Sequence, residues 1–121
     1  MAVHRRIEVA NLMAGSGEVS TVRFLDRKII DAANIQELGD ELFSLVEKEN
    51  RKNLLLNFVS VEFLSSAALG KLITLNRKLQ SAGGKLVLCE IDPQIYEVFE
   101  ITKLDRFFNI QKEEQAALQS F

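Results

Sequence analysis

Two adjacent hydroxyl groups are the side chains of this sequence best placed for chemistry. Ser65 and Ser66 lie in the segment over residues 59–70, between a predicted buried strand and the predicted start of a long helix. In open sheets covered by helices, binding crevices form at such junctions. Serine is a preferred N-cap, so simple capping is the plainer interpretation. The alternative is a regulatory switch, because a hydroxyl at a helix start is accessible and tolerates an added phosphate beside the positive end of the helix dipole.

The sequence contains few residues that are suited to catalysis. His4 is the only histidine and stands near a chain end, so a Ser–His or Cys–His pair would have to recruit it from an unfavourable place. Cys89 is the only cysteine, and its buried-strand pattern favours an inert thiol. A dinucleotide fingerprint is absent, since Gly15 and Gly17 lack the third glycine and the following helix. We therefore expect neither an enzyme nor a bound cofactor or metal ion.

The loop around the two serines is unusually apolar. Val59, Val61, Phe63, Leu64 and Ala67 lie within nine positions of one another. Loops normally run over the surface, and a contiguous apolar set on a surface is typical of a protein docking site. An apolar docking surface is therefore expected beside the hydroxyl groups.

A first helix leads toward this junction. Apolar residues recur at intervals of three and four after Asp31 and predict a helix that ends near Lys48. Its N-cap is either Asn34, with Glu37 as capping-box partner, or Asp31.

Strands are predicted on both sides of the first helix. Residues 7–9 and 19–25 alternate around a turn at Gly15-Ser16-Gly17 and predict an edge hairpin. Residues 53–58 and 85–89 are short apolar runs without a helical period, which suits strands buried on both faces. Strand and helix alternate from residue 53 onward, and this order predicts an α/β fold with a largely parallel sheet.

The second helix follows the serines. Its apolar residues form a wide stripe, Lys71, Thr74 and Lys78 share the opposite side, and Gly83-Gly84 ends it. The remaining predicted elements are a helix that begins at Asp92-Pro93, a strand over residues 107–110 and a polar helix over residues 111–119.

Composition limits the class of protein. The 121 residues suit one domain, and 47% hydrophobic with 26% charged residues supports a packed interior. A net charge of −2 offers no general attraction to nucleic acid or to an anionic membrane. The apolar runs are far shorter than the ~20 residues that span a bilayer, so no membrane insertion is expected. A single cysteine suits a reducing compartment, and a cytoplasmic location is expected.

Three segments carry a family resemblance. They are Ile29-Ile30-Asp31-Ala32-Ala33-Asn34, Leu64-Ser65-Ser66-Ala67 and Gly83-Gly84-Lys85-Leu86-Val87-Leu88. Together with the order of elements, they resemble the STAS domain of bacterial anti-sigma factor antagonists. The similarity spans nearly the whole chain, so residues 1–121 are expected to form a single STAS domain. The resemblance implies a mixed four- or five-stranded sheet with about four helices packed against it.

The resemblance also implies a function. In this family the loop after the central strand typically reads Asp-Ser-Ser/Thr-Gly, and the anti-sigma factor, a serine kinase, phosphorylates the first hydroxyl. Ser65 is then the phosphoacceptor and Ser66 its neighbour, in an antagonist that controls transcription by switching partners. A serine phosphatase would restore the unmodified form. The implied partner-binding residues are Phe63, Leu64, Ser65, Ser66, Ala67, Lys71 and Thr74.

Two positions depart from the family pattern and leave alternatives open. Leu64 stands in place of the acidic residue and Ala67 in place of the glycine. These departures favour a non-phosphorylated STAS interaction module of a lipid-transport (ABC transporter) or signalling-scaffold complex. A third possibility is a sensor that holds an anion or nucleotide at the helix start, although no basic residue lies within the loop itself.

Overall fold

The computed structural model describes residues 4–15 and 17–121. Its elements are β1 (Ile7–Ala14), β2 (Gly17–Phe24), β3 (Lys28–Ile29), α1 (Ala32–Glu47), β4 (Asn53–Asn57), β5 (Phe63–Leu64), α2 (Ser66–Ser81), β6 (Lys85–Cys89), α3 (Pro93–Ile101), β7 (Asn109–Gln111) and α4 (Glu114–Gln119). The predicted α/β class, with four helices over the described residues, is confirmed.

Five strands form the main sheet in the order β1-β2-β4-β6-β7. Strands β1 and β2 are antiparallel, and the other neighbours are parallel. Helices α1, α2 and α3 connect successive parallel strands that advance in one direction across the sheet. Since such connections are right-handed, all three helices lie on the same face. The carboxyl ends of the parallel strands meet at one edge of the sheet, where the loop that carries the serines begins.

Strand β4 is buried on both faces, as its apolar run predicted. Leu54 and Leu56 contribute to the large core beneath the three helices, whereas Leu55 contributes to a smaller cluster on the opposite face. Ala117 of α4 closes that second cluster. The position of the loop after β4 is therefore fixed by a strand that cannot shift without exposing leucine side chains.

The predicted hairpin and first helix are confirmed, with one alternative excluded. Strands β1 and β2 pair along their full length at the edge of the sheet, while Ser16 of the predicted turn lies outside the described residues. The Asp31 carboxylate accepts a hydrogen bond from the Asn34 backbone N–H at 3.1 Å, so Asp31 is the N-cap and the Asn34 alternative is wrong. The helix ends at Glu47 with Lys48 as C-cap, as predicted.

The carboxyl-terminal elements differ from the prediction. The last strand begins at Asn109 rather than at residue 107, and α4 begins at Glu114 rather than at residue 111. Phe108 lies in the bend before β7 and is not part of the strand. Its apolar ring is buried there because it packs edge-on against Phe99, with centroids 5.8 Å apart. None of the described helices is long and apolar enough to cross a membrane.

A short ribbon that the sequence did not predict supports the serine loop. Strands β3 and β5 pair in parallel, with Lys28 beside Phe63 and Ile29 beside Leu64. Ser65 extends the pairing, since its backbone N–H donates to the Ile29 carbonyl at 3.0 Å. The loop is therefore tied to the segment that precedes α1.

Candidate functional site

Ser65 is the N-cap of α2. Its hydroxyl oxygen accepts a hydrogen bond from the Ala68 backbone N–H at 3.2 Å, and its carbonyl accepts one from Leu69 N–H at 3.1 Å. The Ser65 residue is half-buried, and Ser66, the first residue of the helix, is exposed. The capping interpretation is thus correct in geometry, and both residues are accessible, Ser65 in part and Ser66 more fully.

The β3–β5 ribbon sorts its side chains into two sets. Ile29 is buried, and Leu64 is half-buried and packs against the large core. Their neighbours Ile30 and Phe63 are 57% and 51% exposed. Because side chains alternate across a strand, Ser65 follows Phe63 on the outward side. The Ser65 hydroxyl therefore shares a surface with two exposed apolar side chains.

The turn that enters this loop adds a third apolar group. Val59 is exposed two residues beyond the end of β4, and its backbone N–H donates to the Asn57 side-chain oxygen at 2.9 Å. Exposed residues of this size around one loop suit a protein docking surface. We refer to Ile30, Val59, Phe63, Ser65 and Ser66 as the Ser65 patch.

Cations border the Ser65 patch. The ammonium group of Lys28 lies 5.5 Å from the centre of the Phe63 ring, and the Arg27 guanidinium forms an ion pair with Glu62 at 2.7 Å. Both members of the ion pair are exposed, so it contributes at most about 1 kcal/mol to stability. The Arg27 charge is thus partly neutralised by Glu62, and the Lys28 ammonium lies over the Phe63 ring. Lys28 and Arg27 could not be assigned to this surface from the sequence, because strand β3 itself was not predicted.

Lys71 of α2 lies against α1. Its ammonium lies 3.4 Å from the Gln36 side-chain oxygen and 5.8 Å from the centre of the Phe43 ring, both on α1. Lys78 likewise donates to the Glu47 carboxylate at 2.5 Å. Both lysines on the helix side opposite the main apolar stripe therefore contact α1 while remaining partly exposed.

Thr74 lies on the solvent side of α2. It is exposed, and its hydroxyl donates to the Gly70 carbonyl at 3.1 Å. Ala67 is also exposed, in the first turn of α2. The structure thus groups Ala67 with the Ser65 patch, places Thr74 two turns further along the helix, and ties Lys71 to α1.

Cys89 and His4 lie away from this loop. Cys89 is fully buried in the smaller core cluster. Burial, together with the nearby carboxylates of Glu114 and Glu90, raises the pKa of the Cys89 thiol to about 12. His4 lies between two carboxylates, 3.8 Å from Glu41 and 3.5 Å from Glu49. Neither side chain is positioned to activate the Ser65 hydroxyl.

Comparisons with known proteins relate both sequence and fold to one family. The sequence profile of the STAS domain matches residues 17–117. A protein of Bordetella bronchiseptica named as an anti-sigma factor antagonist, BtrV, is 32% identical over 93 residues, which are 77% of this chain and 79% of that protein. It is the sequence similarity, and not the fold alone, that supports a family assignment here.

Solved structures share the fold at lower identity. A STAS domain protein from Planctomyces limnophilus, described as an anti-sigma factor antagonist, superposes with a TM-score of 0.76 at 18% identity and covers 93% of this chain and 96% of its own. The Bacillus cell fate determinant SpoIIAA in its phosphorylated form gives a TM-score of 0.66 at 16% identity, covering 91% and 95% of the two chains. At these low sequence identities, the two structures show that the fold is shared and no more than that.

Proposed function

The chain belongs to the STAS domain family of anti-sigma factor antagonists, and we propose that it is a partner-switching regulator of transcription controlled at Ser65. In this proposal the unmodified protein binds an anti-sigma factor that is also a serine kinase. Phosphorylation of Ser65 releases the partner, and a serine phosphatase restores binding. The protein is a substrate of these enzymes.

The observation that carries the proposal is the surface on which the Ser65 hydroxyl lies. It stands at the start of a 16-residue helix, on the outward side of the ribbon, next to the half-exposed ring of Phe63. A partner that covers Phe63 must also approach Ser65. One hydroxyl group can therefore control a docking surface that is otherwise apolar.

A phosphate at Ser65 has opposite effects on the fold and on the complex. The added charge of about −1.5 to −2 lies next to backbone N–H groups and the positive end of the α2 dipole, so the helix tolerates it. In a complex, the same dianion would be covered by a partner that packs on the apolar side chains of Ile30, Val59 and Phe63, where removing its water costs several kcal/mol unless every charge is fully paired. Each ~1.4 kcal/mol lowers affinity tenfold, so release follows.

The proposed contact surface extends the Ser65 patch along α2. Ala67 and Thr74 are exposed and continue the surface away from the loop. Leu64 supports the surface from beneath by packing against the core. Lys71 joins the contact only if its ammonium leaves Gln36 and Phe43. We propose that Phe63, Ser65, Ser66 and Ala67 dominate the binding.

One observation favours a second candidate function. Leu64 occupies the position of the family's acidic residue, and its side chain faces the core instead of the Ser65 hydroxyl. If a kinase needs that carboxylate, the domain would act as a non-phosphorylated interaction module of a transporter or scaffold complex. Affinity capture separates the two: a kinase-like anti-sigma factor supports the first function, and a transporter ATPase supports the second.

Phosphate mapping tests the first function directly. The purified protein is incubated with the captured anti-sigma factor and ATP, and the modified residue is located by mass spectrometry. We expect phosphate on Ser65 in the native protein and in Ser66→Ala, and none in Ser65→Ala. Modification of Ser66 alone, or no modification of a chain that the kinase binds, would contradict the proposed control.

A further inference from the structure

Among the described residues, strand β1 presents a long unpaired edge. It is eight residues long and forms one end of the main sheet, whereas β7 at the other end has three residues. The Leu25 N–H donates to the Arg6 carbonyl at 3.0 Å, and Ile7 pairs with Phe24. In an antiparallel ladder this pattern directs the backbone groups of residues 8, 10, 12 and 14 toward β2. The backbone N–H and C=O groups of residues 7, 9, 11 and 13 therefore point away from β2, toward the open edge.

Over the part of the chain that the structure describes, the edge carries little of the usual protection against strand pairing. Proteins block edge strands with lysine, proline, a bulge or a covering segment. Strand β1 contains a single charged residue, Glu8, and its register with β2 is continuous from Ile7 to Ala14. Met13 is 78% exposed and Leu12 is 41% exposed. This edge has the properties of an interface.

We propose that β1 pairs with β1 of a second copy of this chain in antiparallel orientation, which joins the two sheets into one of ten strands. The outward groups pair when Ile7 lies opposite Met13 of the second copy and Val9 opposite Asn11. The two-fold axis then passes between the two Ala10 residues. This register forms about eight main-chain hydrogen bonds, because each of its four hydrogen-bonded residue pairs exchanges two.

The side chains of β1 are compatible with this register. Glu8 lies opposite Leu12 of the second copy, so no like charges face each other. Exposed Met13 lies opposite Ile7, whose apolar side chain is buried in the core of its own copy. Ala10 is exposed and has a side chain small enough for the ~4.5 Å Cα separation of a non-hydrogen-bonded pair at the axis. The two Ser65 patches remain open at opposite ends of the dimer.

Cysteine crosslinking tests the register. In Ala10→Cys the two sulfurs meet across the axis, because a Cα separation of ~4.5 Å lies within the range that disulfides span. Leu12→Cys is the matched control, since each Leu12 faces Glu8 and not its own copy. We expect a disulfide-linked dimer from the first variant and its near absence from the second. Equal crosslinking of both variants would overturn the proposed register.

Sedimentation tests the pairing itself. Met13→Pro removes an outward N–H while leaving the β1–β2 ladder and the core intact, and Met13→Ala keeps that N–H. We expect the native protein to sediment as a dimer. The dimer dissociation constant of Met13→Pro should be at least about tenfold higher than that of Met13→Ala. A native chain that stays monomeric at every concentration tested, or a proline variant that dimerises as well as the alanine variant, would overturn the proposal.

Discussion

Ser65 has two separable roles in this account, as a helix cap and as a switch. Its oxygen binds the Ala68 N–H, so Ser65→Ala should lower the free energy of unfolding by about 1 kcal/mol. Ser65→Asp should retain stability, since aspartate is an equally good N-cap and suits the helix dipole. Urea unfolding of the three proteins measures both effects. Ser66→Ala serves as the control and should be close to neutral; an equal loss in both alanine variants would refute the assigned cap.

The Cys89 thiol should be inert in the folded protein. Burial and nearby carboxylates raise its pKa to about 12, so the thiol stays protonated in the fold while it ionises more readily in the unfolded chain. Stability is therefore complete below the unfolded pKa near 9 and falls as the pH rises from there toward 12. At pH 8, the extent of Cys89 alkylation should rise in step with the fraction of protein that urea unfolds. Rapid stoichiometric labelling of the native protein would contradict this burial.

At the element scale, two glycines near α2 should respond to alanine in opposite directions. A Cβ on Gly84 would lie 2.3 Å from the Lys52 carbonyl oxygen and 3.0 Å from a Leu79 methyl carbon, whereas a Cβ on Gly70 would meet open space. Gly84→Ala should destabilise the protein by about 1–3 kcal/mol. Gly70→Ala should stabilise it by about 0.5–1 kcal/mol, because alanine favours a helix interior. Thermal unfolding of both variants tests the pair, and a stable Gly84→Ala would show that β4 and β6 are not in close contact there.

Long elements with a clear period were predictable from sequence, and short ones were not. The apolar spacing of α1 and α2 and the unbroken apolar runs of β4 and β6 follow directly from which faces are buried. Strands β3 and β5 have two residues each, too few to show alternation, and their pairing depends on tertiary contacts. Phe108 was misassigned for a related reason: an apolar side chain indicates burial but not backbone conformation.

The same limit applies to the candidate site. The N-cap role of Ser65 was predictable because serine is a preferred cap where a strand leads into a helix, whereas its role as phosphoacceptor stays a prediction. The inward direction of Leu64 and the exposure of Ile30 follow from the register of the β3–β5 ribbon, which no local pattern specifies. The contact of Lys71 with Gln36 was not predictable, since helix periodicity does not reveal that α1 lies alongside.

At the scale of the whole molecule, a well-packed scaffold supports the small surface at which we propose the change of charge. Strand β4 is buried on both faces and leads directly to the loop, and α2 begins one residue after the proposed phosphoacceptor. Movement of the loop would expose Leu64 and break its pairing with Ile29. We therefore expect control by charge at the Ser65 patch and not by a change of fold, so Ser65→Asp and native protein should give the same far-ultraviolet circular dichroism spectrum.

Binding to the anti-sigma factor, measured by calorimetry, tests the central claim most directly. The native protein and Ser65→Ala should bind with similar affinity, because neither places charge in the interface. Ser65→Asp should lose at least about thirtyfold in affinity while remaining folded, since the full charge of its carboxylate, held only by the helix cap, would be covered by an apolar interface. Equal affinity of Ser65→Asp and native protein would contradict the proposed switch.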